Sequence, residues 1–406
     1  MSSLKNISFY TAIGVFTSGI SFLLLPVLTK YLSPEDYGTL AIFNATTRFV
    51  IVFISLGTLH IAMVKMVEEE FTVFRQYFQS SNFISILASF FFFIPAIIIF
   101  FSVDSFFGLP SWLVLSIPGI ALLVHLFDSV LTLKTYQKKI KEFVVLSLSK
   151  FFMEIAVSLF LIVYLAFDWK GRFFGLFISL IIGLSIGYVV FRRENLLKWS
   201  VNWNTSKELI RMGAPLIFLN LGIMVMNLSD RFFIEKMEGV SETGIYSIAS
   251  AVGGIQLLVV GASMAVFRPK IYENIKHKVN TFKIQILNLG LLVGVFIGLN
   301  LFSYSLFEIF IDEKYWAAKA YVFSISLGFV FWGVFNFYIS YYMYFKKTSL
   351  TAVISIVGVA SNLFLNYVLI EEYSTIGAAY ATAITYFVMA LIIFMVFVFS
   401  PPPSSK

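Results

Sequence analysis

The stretch EDYGTLAIFNATTRFVIVFISLGTLHIAMVK, residues 35–65, reads as one apolar helix with a permanent cation, Arg48, near its middle. A guanidinium there lies about ten residues, or roughly 15 Å, below the end of its segment. Facing hydrocarbon at that depth costs on the order of 2.5 to 3.5 kcal/mol. Forked donors suit a phosphate or a carboxylate. Glu154, on a later apolar segment, is the obvious carboxylate, with Lys150 one turn before it. Two roles stand for the group. In one, Arg48 and Lys150 contact an anionic substrate and Glu154 is their counter-ion. In the other, Arg48 pairs with Glu154 and ties helices together. His125 and Asp128 share a helical face at i and i+3, as a proton relay or as a satisfied structural pair.

A second group lies later in the chain. Asp230 is followed at once by Arg231, which makes a local ion pair or an interfacial anchor the simplest reading. Asn362 and Asn366 share one face of an apolar segment, and the next segment opens IGAAYAT, ending at Thr382. Small residues let helices approach closely. Carboxamide, hydroxyl and backbone oxygens around one carboxylate suit a hard cation, and interhelical hydrogen bonding uses the same groups.

These residues need a medium that makes their charge matter. The chain of 406 residues is 59% hydrophobic and 13% charged, with mean hydropathy +0.90, whereas soluble domains are about 25% charged. Its apolar runs match the roughly 20 residues a helix needs to cross a bilayer, and the short alternating strands of a barrel are missing. The expected fold class is an all-α polytopic membrane protein with twelve transmembrane segments: 7–29, 38–63, 81–103, 111–133, 143–167, 172–191, 209–234, 243–267, 282–304, 319–345, 348–370 and 375–399. The first has too long an apolar run, and no small-x-small site after it, for a signal peptide, and is read as a retained span.

With both termini on one side, that side receives 20 of the 29 Lys and Arg and the other side six, which places the termini in the cytoplasm. Topology and anionic lipid at the inner leaflet then account for the net charge of +7, so no nucleic-acid partner is implied. The most polar stretch suggests a cytoplasmic linker at 196–208 between an N-terminal lobe, 1–195, and a C-terminal lobe, 209–400, with a tail at 401–406. A shift of 206 residues superposes Lys30 on Lys236, Gly38 on Gly244, Lys141 on Lys347 and Gly171 on Gly377. Two parallel copies of six segments suit alternating access around a central cavity.

The stretches LLLPVLTKYLSPEDYGTLAIF (24–43), MGAPLIFLNLGIMVMNLSDRFFIEKMEGVSETGIYSIAS (212–250) and ASNLFLNYVLIEEYSTIGAAYATAITYF (360–387) resemble those of Wzx-type polysaccharide flippases. These belong to the multidrug/oligosaccharidyl-lipid/polysaccharide exporter superfamily. The resemblance implies a two-lobed transporter in the bacterial plasma membrane, multi-pass, that flips undecaprenyl-diphosphate-linked oligosaccharide for O-antigen or another surface polysaccharide. It further implies membrane lipids, a polysaccharide polymerase and a chain-length regulator as partners, and Na+ or H+ as coupling ion. By that likeness the ion site comprises Asp230, Asn362, Asn366, Ala378 and Thr382. Asn366 stands where relatives have a second acid, which leaves one formal charge.

Other classes are weaker. No cysteine is present, and His60, His125 and His277 have no metal-ligand spacing. No GxxxxGK[ST] occurs, so direct ATP use is not expected, and neither enzyme activity nor any other cofactor is implied. A polysaccharide polymerase should carry a long charged outer loop. A MATE-type drug exporter should present acids in its first lobe, where both signs occur here. A non-transporting scaffold leaves the cost of the buried charges without return.

Overall fold

In hydrocarbon every backbone N–H and C=O must find its partner within its own segment, so long apolar runs become helices. The computed structural model describes residues 24–196 and 202–400, and among these eleven helices are long and apolar enough to span a membrane. In chain order the helices are α1 (Leu25–Tyr31), α2 (Pro34–Ser55), α3 (Thr58–Glu68), α4 (Phe71–Ser102), α5 (Ser111–Tyr136), α6 (Ile140–Leu159) and α7 (Asp168–Arg193). There follow α8 (Trp203–Glu238), α9 (Val240–Lys276), α10 (Phe282–Phe310), α11 (Lys319–Tyr344), α12 (Thr348–Tyr373) and α13 (Thr375–Phe399). A π-helical turn, Phe160–Tyr164, continues α6, and β1 (Ser105–Phe106) pairs with β2 (Leu109–Pro110) before α5. The expected first span, 7–29, lies outside the described residues except for its end, which forms the start of α1.

The chain divides into two compact units, residues 39–196 with 202–224 and residues 24–38 with 225–400. Polarity marks 196–208 as a linker, yet helical backbone begins at Trp203, and the unit boundaries fall inside α2 and α8. Packing explains the difference. In the first unit the Tyr77 hydroxyl donates to Glu208 at 2.5 Å, and Leu209 is buried with Ala62 and Ile84. The start of α8 therefore belongs to that unit.

The repeat shows in the second unit as a reciprocal contact. Ser33 caps α2: its amide donates to the Asp36 carboxylate at 2.8 Å and its hydroxyl accepts from the Asp36 amide at 3.1 Å, with Pro34 in the first helical position. Gly239, 206 residues later, opens α9 with φ 97°. A Cβ on Gly38 would overlap the Val240 carbonyl, and one on Gly244 would overlap that of Pro34. Both members of each contact are related by the same shift of 206 residues. Asp168 and Ser374, separated by that shift too, both take positive φ, 47° and 60°, where their helices begin.

The segment expected as one helix over 38–63 is broken instead. Leu56 and Gly57 take φ 47° and 66°, and α3 restarts at Thr58. A Cβ on Gly57 would lie 2.7 Å from the Gly213 carbonyl oxygen, so close approach to α8 selects glycine. The Thr58 hydroxyl donates to the Ser55 carbonyl at 2.8 Å, satisfying an acceptor that the break releases.

One end of the first unit is held by an ionic knot. Buried Lys134 contacts Glu194 at 2.7 Å and Glu142 at 2.8 Å, and Gln137 and Lys139 donate to Glu194 at 2.6 and 2.9 Å. Burial alone would raise the Glu194 carboxyl, but the hydrogen bonds from Lys134, Gln137 and Lys139 hold it below the usual range. A carboxyl depressed in the folded state stabilises above its unfolded pKa, about 4.3, and loses that contribution as pH falls. The melting temperature of purified protein should therefore drop on acidification from about pH 5 to about pH 3, and Glu194→Gln should flatten the drop. Gly38→Val should cost about 1–3 kcal/mol or more, by overpacking. Gly254→Ala, at a glycine with open space beside it, should stay within about 0.5 kcal/mol.

Candidate functional site

In the first unit α2 stands beside α7 and α4 through Phe43 on Phe173 and Phe53 on Phe92, with ring centroids 5.6 and 5.7 Å apart. This leaves Arg48 accessible, and the charges of Arg48 and Lys150 both act on Asp128, from α2, α6 and α5. Glu154 is not the partner of Arg48. One of its oxygens accepts Lys150 at 2.5 Å and the other meets Arg172 at 2.9 Å. Arg172, from the start of α7, also donates to Ser158 at 3.3 Å.

Three cations and two carboxylates thus share one region of this unit. Glu154 is taken up by its own helix and the next, and among the described residues no carboxylate lies within 4 Å of Arg48. Sequence reasoning missed Arg172, which looks like an interfacial charge because it stands near the start of its segment. Its signal was the i+4 ladder from Lys150 through Glu154 to Ser158, which faces a neighbouring helix at a glycine: a Cβ on Gly175 would overlap Ser158.

Among the described residues no hydrogen bond joins His125 to Asp128. The buried imidazole bonds the Ser85 hydroxyl at 2.9 Å, Ser85 donates to the Ser81 carbonyl at 3.0 Å, and the Ser81 and Thr58 hydroxyls meet at 2.8 Å. Small polar residues therefore join α3, α4 and α5, whereas Asp128, three positions on, is accessible.

The second unit brings the other group together. Asp230 and Ser229 on α8, Tyr246 on α9, Asn362 and Asn366 on α12, and Ala378, Thr382 and Tyr386 on α13 are all buried. Ser229 donates to Asn362 Oδ1 at 3.1 Å, as does the Asn366 amide, and the Tyr386 hydroxyl donates to Asn227 Oδ1 at 3.2 Å. The Tyr246 hydroxyl reaches toward Asp230 and Thr382. Arg231 pairs with Asp230, its amide at 2.9 Å and its guanidinium at 2.8 Å, and both contacts fall on Oδ1.

Among the described residues Asn366 Oδ1 and Thr385 Oγ1 are buried without a hydrogen-bond partner, and Thr382 Oγ1 has the Tyr246 hydroxyl as its neighbour. Buried polar oxygens are ordinarily satisfied. Unsatisfied oxygens on α12 and α13, in the unit that also holds Asp230 with its Oδ2 outside the Arg231 contacts, could serve an oxygen-ligated cation. Interhelical hydrogen bonding accounts for Asn362 and Ser229 and, through Tyr246, for Thr382, but not for Asn366 Oδ1 or Thr385 Oγ1. Tyr246 and Tyr386 were missed, because aromatic residues are too numerous to single out in this chain.

Residues 3–275 match the family of polysaccharide biosynthesis proteins, and the chain belongs to that family. No curated protein matches it. Among solved structures, the lipid II flippase MurJ in an inward closed conformation is similar at 17% identity over 96% of this chain and 87% of that one, with a TM-score of 0.74. An inward-facing MATE family multidrug resistance transporter of the MOP superfamily is similar at 13% identity over 92% of each chain, TM-score 0.69. A Vibrio cholerae MATE transporter mutant follows at 12% identity over 97% and 93%, TM-score 0.53. At these identities the likeness establishes the fold alone, an all-α bundle of membrane-spanning helices, eleven of which lie among the described residues.

Glu154→Gln should leave Lys150 and Arg172 facing each other without their shared anion. The loss of two charge-assisted hydrogen bonds should destabilise the protein by about 1–3 kcal/mol, read as a lower melting temperature, and added Lys150→Met should recover part of it.

Proposed function

We propose that the protein flips undecaprenyl-diphosphate-linked oligosaccharide repeat units across the bacterial plasma membrane by alternating access, with both termini cytoplasmic, for O-antigen or another surface polysaccharide. The observation that carries this reading is Arg48. It is a permanent cation within an apolar helix, accessible, and without a carboxylate within 4 Å among the described residues. A polyprenyl tail can stay in lipid while the head moves. The diphosphate then needs fixed positive charge along its path, which Arg48 supplies directly and Lys150 shares with Glu154.

Membership in a polysaccharide biosynthesis family and a fold shared with a lipid II flippase support this substrate class. The MATE fold keeps a drug exporter as the second reading, since accessible Asp128 can face an organic cation. Three cations against two acids in that region favour an anionic headgroup. Association with a polymerase and a chain-length regulator is part of the same proposal.

We further propose coupling to Na+ or H+ at Asp230. The residues that would hold the ion are Asp230, Asn366 and Thr382, with the Ala378 carbonyl beside them and Asn362 orienting Asn366. A bound cation would shift the balance between conformations by its differential affinity for them. Arg231 would share Asp230 with it.

Arg48→Ala should abolish surface polymer in a complementation assay while leaving the protein in the membrane, and Arg48→Lys should retain part of the activity. Normal polymer from Arg48→Ala would remove the assignment. Transport by the wild type should depend on sodium or on pH, and Asp230→Asn should erase that dependence. A wild type indifferent to both would eliminate coupling at this residue.

A further inference from the structure

The second unit holds a cavity of about 650 Å3, within the roughly 300–1,000 Å3 common for small-molecule sites. Gly261, Met264, Arg268 and Tyr272 of α9 line it together with Trp332 and Asn336 of α11. Its polar groups are fixed in place. Arg268 Nε donates to the Ser340 hydroxyl at 3.2 Å, and Ser340 donates to the Asn336 carbonyl at 2.7 Å. The Asn336 amide donates to the Trp332 carbonyl at 2.8 Å. Trp332 packs on Phe335, with centroids 5.3 Å apart and planes at 23°, and on Tyr386, at 5.0 Å, while still lining the cavity. Among the described residues no carboxylate lies within 4 Å of Arg268, so its terminal nitrogens have no anion.

An indole, a carboxamide and an unneutralised guanidinium around one cavity define a ligand class. A pyranose ring presents a face of C–H groups that packs on the negative face of an indole. Its rim of hydroxyls matches a carboxamide and a guanidinium, and an adjacent phosphate matches the guanidinium again. An organic cation would be repelled by Arg268. We propose that this cavity is a saccharide subsite for the headgroup, with Trp332 as the platform, Asn336 and Arg268 as hydrogen-bonding partners, and Gly261 leaving room for the ring. The inference rests on the flippase reading above and adds the place where sugars are read.

Trp332 also packs on Tyr386, whose hydroxyl bonds Asn227 and which feels the charge of Asp230. Sugar in the cavity therefore sits one side chain away from the proposed ion site.

Gly261 supplies the test, because a Cβ there would meet nothing within 4 Å. A larger side chain fills the cavity without straining the helix. The full chain, in nanodiscs, is titrated with undecaprenyl diphosphate carrying a trisaccharide, with bare undecaprenyl diphosphate and with phosphatidylglycerol. Gly261→Leu and Trp332→Leu should weaken the saccharide lipid about tenfold or more and the bare diphosphate less than about twofold. Arg48→Ala should weaken both diphosphate lipids. Unchanged affinity for the saccharide lipid in Gly261→Leu, or equal losses for both diphosphate lipids, overturns the subsite. The flippase reading stands in that case if Arg48→Ala still weakens both. Wild-type protein that binds neither diphosphate lipid better than phosphatidylglycerol overturns both claims.

Discussion

A fixed charge inside an apolar medium must be compensated, and the compensation organises the charged region of the first unit. Glu154 receives a cation on each oxygen, one from its own helix and one from the next. That leaves it nothing for Arg48. Buried ion pairs of this kind add little net stability when complete, yet they fix geometry, because removing one member strands the other. The ladder of Lys150, Glu154 and Arg172 therefore fixes α6 against α7, and it leaves Arg48 with no carboxylate within 4 Å among the described residues. In the second unit the same constraint gives a different result. Asp230 is paired by Arg231 through a single oxygen, and among the described residues uncharged oxygens on α12 and α13 are left unsatisfied.

The two copies of the repeat share a frame but not a chemistry. The reciprocal crossing at Gly38 and Gly244 and the positive φ values at Asp168 and Ser374 keep the shift of 206 residues. Under that shift Arg48 falls on Gly254, Arg172 on Ala378 and Glu154 on Ala360. Charge has been kept in one copy and small residues in the other. The helix break repeats this divergence: α2 and α3 stop and restart at Leu56 and Gly57, whereas their counterpart α9 is continuous. Discontinuous membrane helices persist where freed backbone groups find partners, and the approach of Gly213 and the hydroxyl of Thr58 meet that condition here.

Much of this was legible in the sequence for physical reasons. Runs of about 20 apolar residues can do little else in a bilayer, so spans such as 375–399 and the membrane medium follow from composition. Glycines at one offset marked the repeat because close backbone approach tolerates no other side chain. The polar set of Asp230, Asn362, Asn366 and Thr382 was readable because such residues are rare in apolar helices. Pairings were not. Charge alone offers Glu154 to Arg48 as one alternative, yet contact depends on which helix faces which, and α7 supplies the nearer cation. His125 was matched to Asp128 on helical spacing, yet a buried imidazole bonds whatever the packed helix offers, and that was Ser85. The helix break needed the position of Gly213, and the Trp332 cavity needed three dimensions.

Transport of the headgroup is the claim to which the charges, the fold and the family membership all lead. The most direct measurement is flipping itself: purified protein in liposomes, a fluorescent undecaprenyl diphosphate saccharide in the inner leaflet, and the rate at which an external quencher reaches it. The account predicts that the protein accelerates this rate well above that of empty liposomes and leaves the flipping of an uncharged polyprenol unchanged. Equal rates with and without protein, under both sodium and proton gradients, would contradict it.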